Sequence, residues 1–304
     1  MQVGLLIPQG WKGEYDGWDA ADAWATTVDL ARHAEALGFE SAWVFDHFTT
    51  VPEPTDEITF ESFSTLSALA MATERVRLGH MVICTGFRNP ALTAKLASTI
   101  DVISGGRFEL GIGAGWKDDE WIAYGFGFPT TNERLARLGD DLEVITRMLA
   151  PGRTVHATFH GKHAGIEDAI NVPKPLQERV PIVVGGNGPN VTMRLAARFA
   201  DELNLVYRPP DEIPGLIATA RQRCEEIDRD PSTLRLSMYV ADDEVKDPGQ
   251  KRVDVIGRLM GMGLDRLVAF PTRYGATREV QEQFAEDCRS AGLLADARSP
   301  AEVF

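Results

Sequence analysis

Short runs of consecutive apolar residues alternate along the chain with longer stretches in which apolar side chains recur every three or four positions. The runs are VGLLIPQ (3–9), SAWVFDHF (41–48), VRLGHMVIC (76–84), RFELGIGAG (107–115), PIVVGG (181–186), DELNLVY (201–207), LRLSMYVAD (234–242) and DRLVAFPT (265–272). They are continuously apolar, as strands buried on both faces must be. The stretches between them have helical spacing. Residues 19–37 place Ala21, Trp24, Ala25, Val28, Ala31 and Ala34 on one face and stop at Gly38. Further helices are predicted around 60–73 and 133–149. Another starts at Asn89-Pro90, an N-cap followed by a first-turn proline, and ends at Gly105-Gly106. The last helix carries Val280, Phe284 and Cys288.

Eight strand candidates, each followed by a helical pattern, fit a (β/α)8 TIM barrel of about 250 residues. Two successive open α/β domains would also alternate, but no linker-like break divides the chain, so residues 1–304 read as a single domain. Insertions are expected after strand four (116–132) and before strand five (150–179), the latter as an excursion above the barrel.

Charge and cysteines narrow the function. The net charge of −14 makes nucleic acid an improbable partner, although a locally positive anion site remains compatible with it. The start, MQVGLLIPQG, reads as a first strand, and no apolar run reaches membrane-spanning length. Cys84, Cys224 and Cys288 have no metal or redox spacing, which points to a cytoplasmic protein. His156, His160 and His163 follow an H-x3-H-x2-H spacing without a helical pattern, and no metal is expected there. A substrate-facing or solvated hairpin is the reading for that stretch.

Residues 103–116, ISGGRFELGIGAGW, contain five glycines. Gly111, Gly113 and Gly115 give G-x-G-x-G, not the G-x-G-x-x-G of a dinucleotide loop. Gly105-Gly106 read as a helix stop. The other three lie at the C-terminal end of a barrel strand, where active sites form. There they either let something flat approach the backbone or fit a narrow barrel layer, and both readings stay open. Asp46-His47 ends a second strand at the same face. His47 is the candidate for proton transfer, against the plainer reading of a structural strand-end histidine.

WVFDHF, FRNPALTAKLASTIDVISGGRFELGIGAGW and PIVVGGNGP together resemble the luciferase-like oxidoreductase family, most closely its branch dependent on the deazaflavin coenzyme F420. The resemblance covers residues 1 to about 290 and implies a single luciferase-like barrel domain. It implies a ring in the barrel mouth against a bulge in strand three near Met81-Val82, with a non-prolyl cis peptide and Cys84 at the ring edge. It also implies Asp46 at the deazaflavin head, His47 as acid/base, Gly113 and Gly115 beside the ring, and Gly185, Gly186, Asn187 and Gly188 holding the cofactor phosphate. The family's sugar-phosphate dehydrogenases carry a glutamate directly after the glycine run. Trp116 stands there instead, which argues against the same alcohol-oxidising chemistry and substrate, and Glu120 is a partial replacement of unknown direction. Lys12, Arg88 and Lys117 are the candidate donors for the acidic tail of F420. The resulting expectation is an F420-dependent oxidoreductase acting on a small-molecule substrate as a cytoplasmic homodimer. The alternatives are an FMN-dependent two-component monooxygenase and a non-catalytic flavin-binding protein.

Overall fold

The computed structural model of the protein describes residues 1–152, 156–240, 245–271 and 275–295. All eight apolar runs form parallel strands of one closed barrel. In order around it these are β1 (Gln2–Leu6), β2 (Ser41–Val44), the third strand in two pieces, β3 (Arg77–His80) and β4 (Ile83–Cys84), and β5 (Phe108–Gly113). A hairpin of β6 (His156–His160) and β7 (Gly165–Ile170) stands apart. Then β8 (Ile182–Gly185), β9 (Glu202–Val206), β10 (Arg235–Val240) and β11 (Arg266–Ala269) complete the barrel, and β11 pairs with β1.

The helices are α1 (Ala20–Leu37), α2 (Ser62–Ala72), α3 (Pro90–Ile103), the short α4 (Asp118–Ala123), α5 (Thr131–Leu149), α6 (Thr192–Phe199), α7 (Ile213–Glu225), α8 (Gln250–Met260) and α9 (Arg278–Ser290). Their ends follow from the sequence. Asp19 and Asn89 accept hydrogen bonds from the first free amides of α1 and α3, and Thr130 with Glu133 forms a capping box on α5. None of the helices among the described residues is long and apolar enough to cross a membrane.

Two apolar layers result. One lies between the strands and the helices, built on residues such as Leu5, Val44, Leu78, Ile100, Leu110, Leu142, Val184 and Leu267. The other fills the barrel itself with Leu6, Trp43, Phe45, Met81, Val183, Val268 and Phe270. The Trp43 ring fits because Gly4 and Gly79 flank it; a Cβ on Gly79 would come within 2.4 Å of the ring.

Below Trp43 the barrel is filled by charge. The fully buried Arg266 donates to Glu109 (2.8 and 3.0 Å), Glu202 (3.0 Å) and Glu40 (3.0 Å), and its guanidinium lies 5.1 Å from the Trp43 ring. Arg77 also bonds Glu109, and Arg235 bonds Glu202 at 3.0 Å. Burial alone would raise the pKa of Glu109, but Arg266 and Arg77 hold it down at about 2. Burial, reinforced by the neighbouring Glu109 charge, pushes Glu202 the other way.

The segment before strand five departs from expectation. It does not rise above the barrel mouth. It connects the C-terminal end of α5 to the N-terminal end of β8, and its hairpin lies along the outside of α5 and α3. The His163 amide bonds Asp140 of α5 (2.7 Å), Asn171 bonds Ser98 of α3 (2.6 Å) and Lys95 bonds the Val172 carbonyl (2.7 Å). The topology accounts for this: a helix-to-strand connection begins on the face opposite the mouth.

Glu109→Gln removes one charge from the buried set and leaves two arginines undercompensated. Stability at neutral pH is expected to fall by about 3–5 kcal/mol in urea unfolding. The folded pKa of Glu109 lies below the ordinary 4.5, so its contribution is present above that pH and is lost as pH falls toward about 2. The variant should lose that part of the acid dependence, and an unchanged acid limb would remove Glu109 from the account.

Candidate active site

What approaches the glycine backbone is the protein's own third strand. After His80 the chain steps out of the sheet, crosses the Met81–Val82 peptide, which is cis, and re-enters as β4. A Cβ on Gly111 would lie 1.8 Å from the His80 carbonyl oxygen. On Gly113 or Gly185 it would lie 2.9 Å from a Val82 methyl, and on Gly115 2.3 Å from Cys84 Sγ. Glycine at these positions therefore makes room for the bulge. The space beside the glycines is thus taken in part by Val82 and Cys84, and glycines and bulge together border the cleft.

That cleft has a volume of about 420 Å³ at the C-terminal end of the barrel. Its lining includes Asp46, His47, Met81, Val82, Cys84, Gly113, Gly115, Gly185 and Gly186. Sequence reasoning did not find Trp11, Phe45, Phe87, Asn204, Val206 and Tyr239, which also line it. Trp11 had a signal: it sits just past the end of the first strand, in LIPQGW. The others offered none beyond belonging to strand ends.

His47 is held on three sides. Its Nδ1 lies 2.8 Å from Glu120 Oε2. The Trp11 indole stacks parallel to the imidazole, 4.2 Å between centroids and 2° between planes. Trp116 meets it edge-on at 5.7 Å. Glu120 is in turn fixed by the Phe48 amide (3.0 Å), the Thr49 amide (3.1 Å) and Thr49 Oγ1 (3.2 Å). A carboxylate facing Nδ1 favours the tautomer protonated there, with Nε2 the ring nitrogen turned away from Glu120. The direction of Glu120, open in the sequence, is thus toward His47.

The carboxylate of Asp46 is fully engaged within the protein. It accepts two hydrogen bonds from Arg88 (2.8 Å each), one from Ser62 (2.8 Å) and one from the Cys84 amide (2.9 Å). Burial alone would raise its pKa, but Arg88 holds it below the ordinary range. It ties the end of β2 to β4. Burial pushes the Cys84 thiol up to about 12, so it is a neutral wall group. Burial also takes His80, packed between Phe63 and Phe108, down to about 3, which removes it from acid–base work.

Two of the expected tail donors are already committed. Arg88 pairs with Asp46 and Glu61, while Lys117, nearly buried, bonds Asp119 (2.6 Å) and Thr49 (3.1 Å). Lys12 lies over the Trp11 ring at 4.7 Å. The turn after β8 also differs from expectation. Gly186 sits at φ +131° and borders the cleft, but Asn187 and Gly188 do not line it. Asn187 turns to β9, bonding both the carbonyl and the amide of Val206 (2.8 and 2.9 Å). Its role is to fasten the turn, and α6 then starts at Thr192 without a side-chain cap. In the hairpin, His156 pairs with Asp168 (2.6 Å) and His160 with Glu167 (3.2 Å). Among the described residues no cluster of three or more His, Cys, Asp or Glu could hold a metal.

A family model described as luciferase-like monooxygenase matches residues 1–244. An F420-dependent glucose-6-phosphate dehydrogenase of Kineococcus radiotolerans is 36% identical over 178 residues, 57% of this chain and 50% of the relative, so the chain spans half the length of that enzyme. Its counterpart from Intrasporangium calvum is 33% identical over 74% of this chain and 68% of its own. The pyrimidine monooxygenase RutA of Stutzerimonas stutzeri is 30% identical over 80% and 69%. Among solved structures, an F420-dependent secondary alcohol dehydrogenase in complex with an F420-acetone adduct superposes with a TM-score of 0.80 at 19% identity, covering 95% of this chain and 98% of that one. At that identity it speaks for the barrel fold alone.

The glycine arrangement separates two kinds of substitution. Gly111→Ala collides with backbone and should fail to fold or melt far below the wild type. Gly113→Ala and Gly185→Ala meet only Val82 methyls and should fold, with Val82 pushed into the cleft and flavin or deazaflavin affinity reduced about tenfold or more. Thermal melts beside cofactor titrations check this; equal behaviour of all three variants would contradict it.

Proposed function

The chain belongs to the luciferase-like monooxygenase family, and we propose that it is an F420-dependent oxidoreductase acting on a small or medium organic substrate in the barrel mouth. The observation that carries the reading is the His47–Glu120 couple at the wall of a mostly apolar cleft. A pure cofactor carrier has no need of an oriented acid–base pair. The alternation of F420-dependent names among the relatives supports the choice of cofactor.

The cleft suits such a cofactor. Met81 and Val82 offer an apolar floor for a tricyclic ring, and Gly113, Gly115, Gly185 and Gly186 offer backbone beside it. The uncapped start of α6 supplies amides for a phosphate. A bound deazaflavin supplies two-electron hydride chemistry. The chain's own residues do the rest. The apolar walls limit water, and His47 Nε2 gives or takes the proton that accompanies hydride transfer at an oxygen-bearing carbon. Glu120 balances the imidazolium formed when His47 accepts a proton. Trp116 at the position after the glycine run therefore does not argue against alcohol or carbonyl chemistry, because the carboxylate arrives from α4. The same reading takes a small molecule as the partner, with no nucleic acid or membrane, and a cytoplasmic homodimer as the working unit.

The similarity to pyrimidine monooxygenase, which spans more of the chain than the first dehydrogenase, favours the second reading of an FMN-dependent monooxygenase. Fluorescence titration of each cofactor against the apoprotein at low and high salt distinguishes them. F420 should bind more tightly than FMN, with the gap narrowing as salt screens the acidic tail. Preference for FMN, or oxygen consumption with reduced FMN, would replace the first reading with the second.

His47→Ala should reduce turnover by about 10²–10⁴ while F420 affinity stays within several-fold. Glu120→Gln, which keeps the shape but not the charge, should lower turnover less and alter its pH profile. Full activity of His47→Ala on a true substrate would reduce His47 to a strand-end residue.

A further inference from the structure

The charged groups of the cleft wall are satisfied among themselves. Asp46 is closed by Arg88, Glu120 by His47 and the 48–49 amides, and Lys117 by Asp119 and Thr49. What faces the space beside His47 is aromatic. Trp11 is buried, with its ring 4.1 Å from that of Phe45, and its position is fixed by its carbonyl, which accepts from Val51 (2.9 Å). Trp116, by contrast, is 60% exposed although it lines the cleft. Among the described residues its one ring contact is the edge of His47. A large apolar ring left open at the rim of an active-site cleft is uncovered surface that a ligand with an apolar face would bury.

We infer that Trp116 determines specificity, and that the substrate is an uncharged, flat, apolar carbonyl compound or its alcohol, packed against Trp116 with its oxygen at His47 Nε2. This deepens, and rests on, the reading of the cleft as an oxidoreductase site. A phosphorylated sugar is disfavoured, because the indole occupies the rim and Lys117 is already paired. The two tryptophans divide the work. Trp11 holds the imidazole plane, and Trp116, outside the Glu120 hydrogen-bond set, contributes to ligand binding.

The test is calorimetric titration of cofactor-loaded protein with acetophenone and with glucose 6-phosphate, on wild type, Trp116→Ala and Trp116→Phe, with melts confirming that each variant folds. Acetophenone should bind wild type more tightly than glucose 6-phosphate does. Its affinity should fall about tenfold in Trp116→Ala and stay within about threefold in Trp116→Phe. Failure of acetophenone to bind wild type, unchanged affinity in Trp116→Ala, or tighter binding of glucose 6-phosphate would each overturn the inference. The cofactor titration is read separately. If FMN alone binds, the F420 reading fails, and the same ligand titrations on FMN-loaded protein still decide the role of Trp116. If neither cofactor binds, both fall.

Discussion

The site depends on one steric fit, the seating of Val82 over Gly113 and Gly185. Two side-chain methyls of the third barrel strand occupy the space that a Cβ on either glycine would need. This lets the strand leave the sheet after His80 and return at Ile83 without opening the barrel. The return brings the Cys84 amide to Asp46, and Asp46 in turn holds Arg88 and Ser62. The end of β2 is thereby pinned, and His47, the next residue, projects into the cleft. A packing event on one side of the barrel thus fixes the position of the His47 imidazole on another.

Electrostatics follow the same logic of local closure. The chain carries −14 overall, yet two groups of its buried charges occur in matched sets. Arg266 with Glu109 and Glu202 plugs the lower barrel, and Arg88 with Asp46 braces the upper rim. In these two sets each charge taken from water meets an opposite charge and directed hydrogen bonds, the condition under which burial is tolerable, while the buried Asp101 is satisfied by the Leu176 and Gln177 amides instead. The result at the cleft is a wall that contains ionisable residues but offers mainly apolar surface. The net charge therefore says little about what the cleft accepts.

The architecture was legible because parallel barrel strands are buried on both faces and so appear as unbroken apolar runs, while Asn89 and Gly38 mark helix ends. The bulge at Met81-Val82 was reachable only through the family resemblance, since nothing in LGHMVIC itself forbids a regular strand. The meaning of the glycines was half legible. Their place at a strand end was clear, but whether ligand or protein filled the space above them depended on a contact with residues about thirty positions earlier. The resemblance puts Asp46 and Asn187 at the cofactor by backbone or side chain; their side chains are spent on Arg88 and on Val206, which leaves only the backbone for that part. Sequence spacing carries no record of which way such a side chain turns. The hairpin was misplaced because its histidines suggested a site, while the connectivity rule, helix end to strand start, assigned it to the other side.

Glu120 ties the end of β2 to α4. Its carboxylate is held by the amides of Phe48 and Thr49, on the same strand end that carries His47. His47 and the Glu120 carboxylate therefore move as one unit, and a small displacement of α4 cannot slide one past the other without breaking several hydrogen bonds. Trp116 lies outside that unit, next to Gly115 at φ +77°, and is bound to it only by an edge contact. A residue change at 116 alters the surface met by a ligand and leaves the couple intact. With the carboxylate beside His47 coming from position 120, position 116 is left to an aromatic that makes no hydrogen bond to the couple.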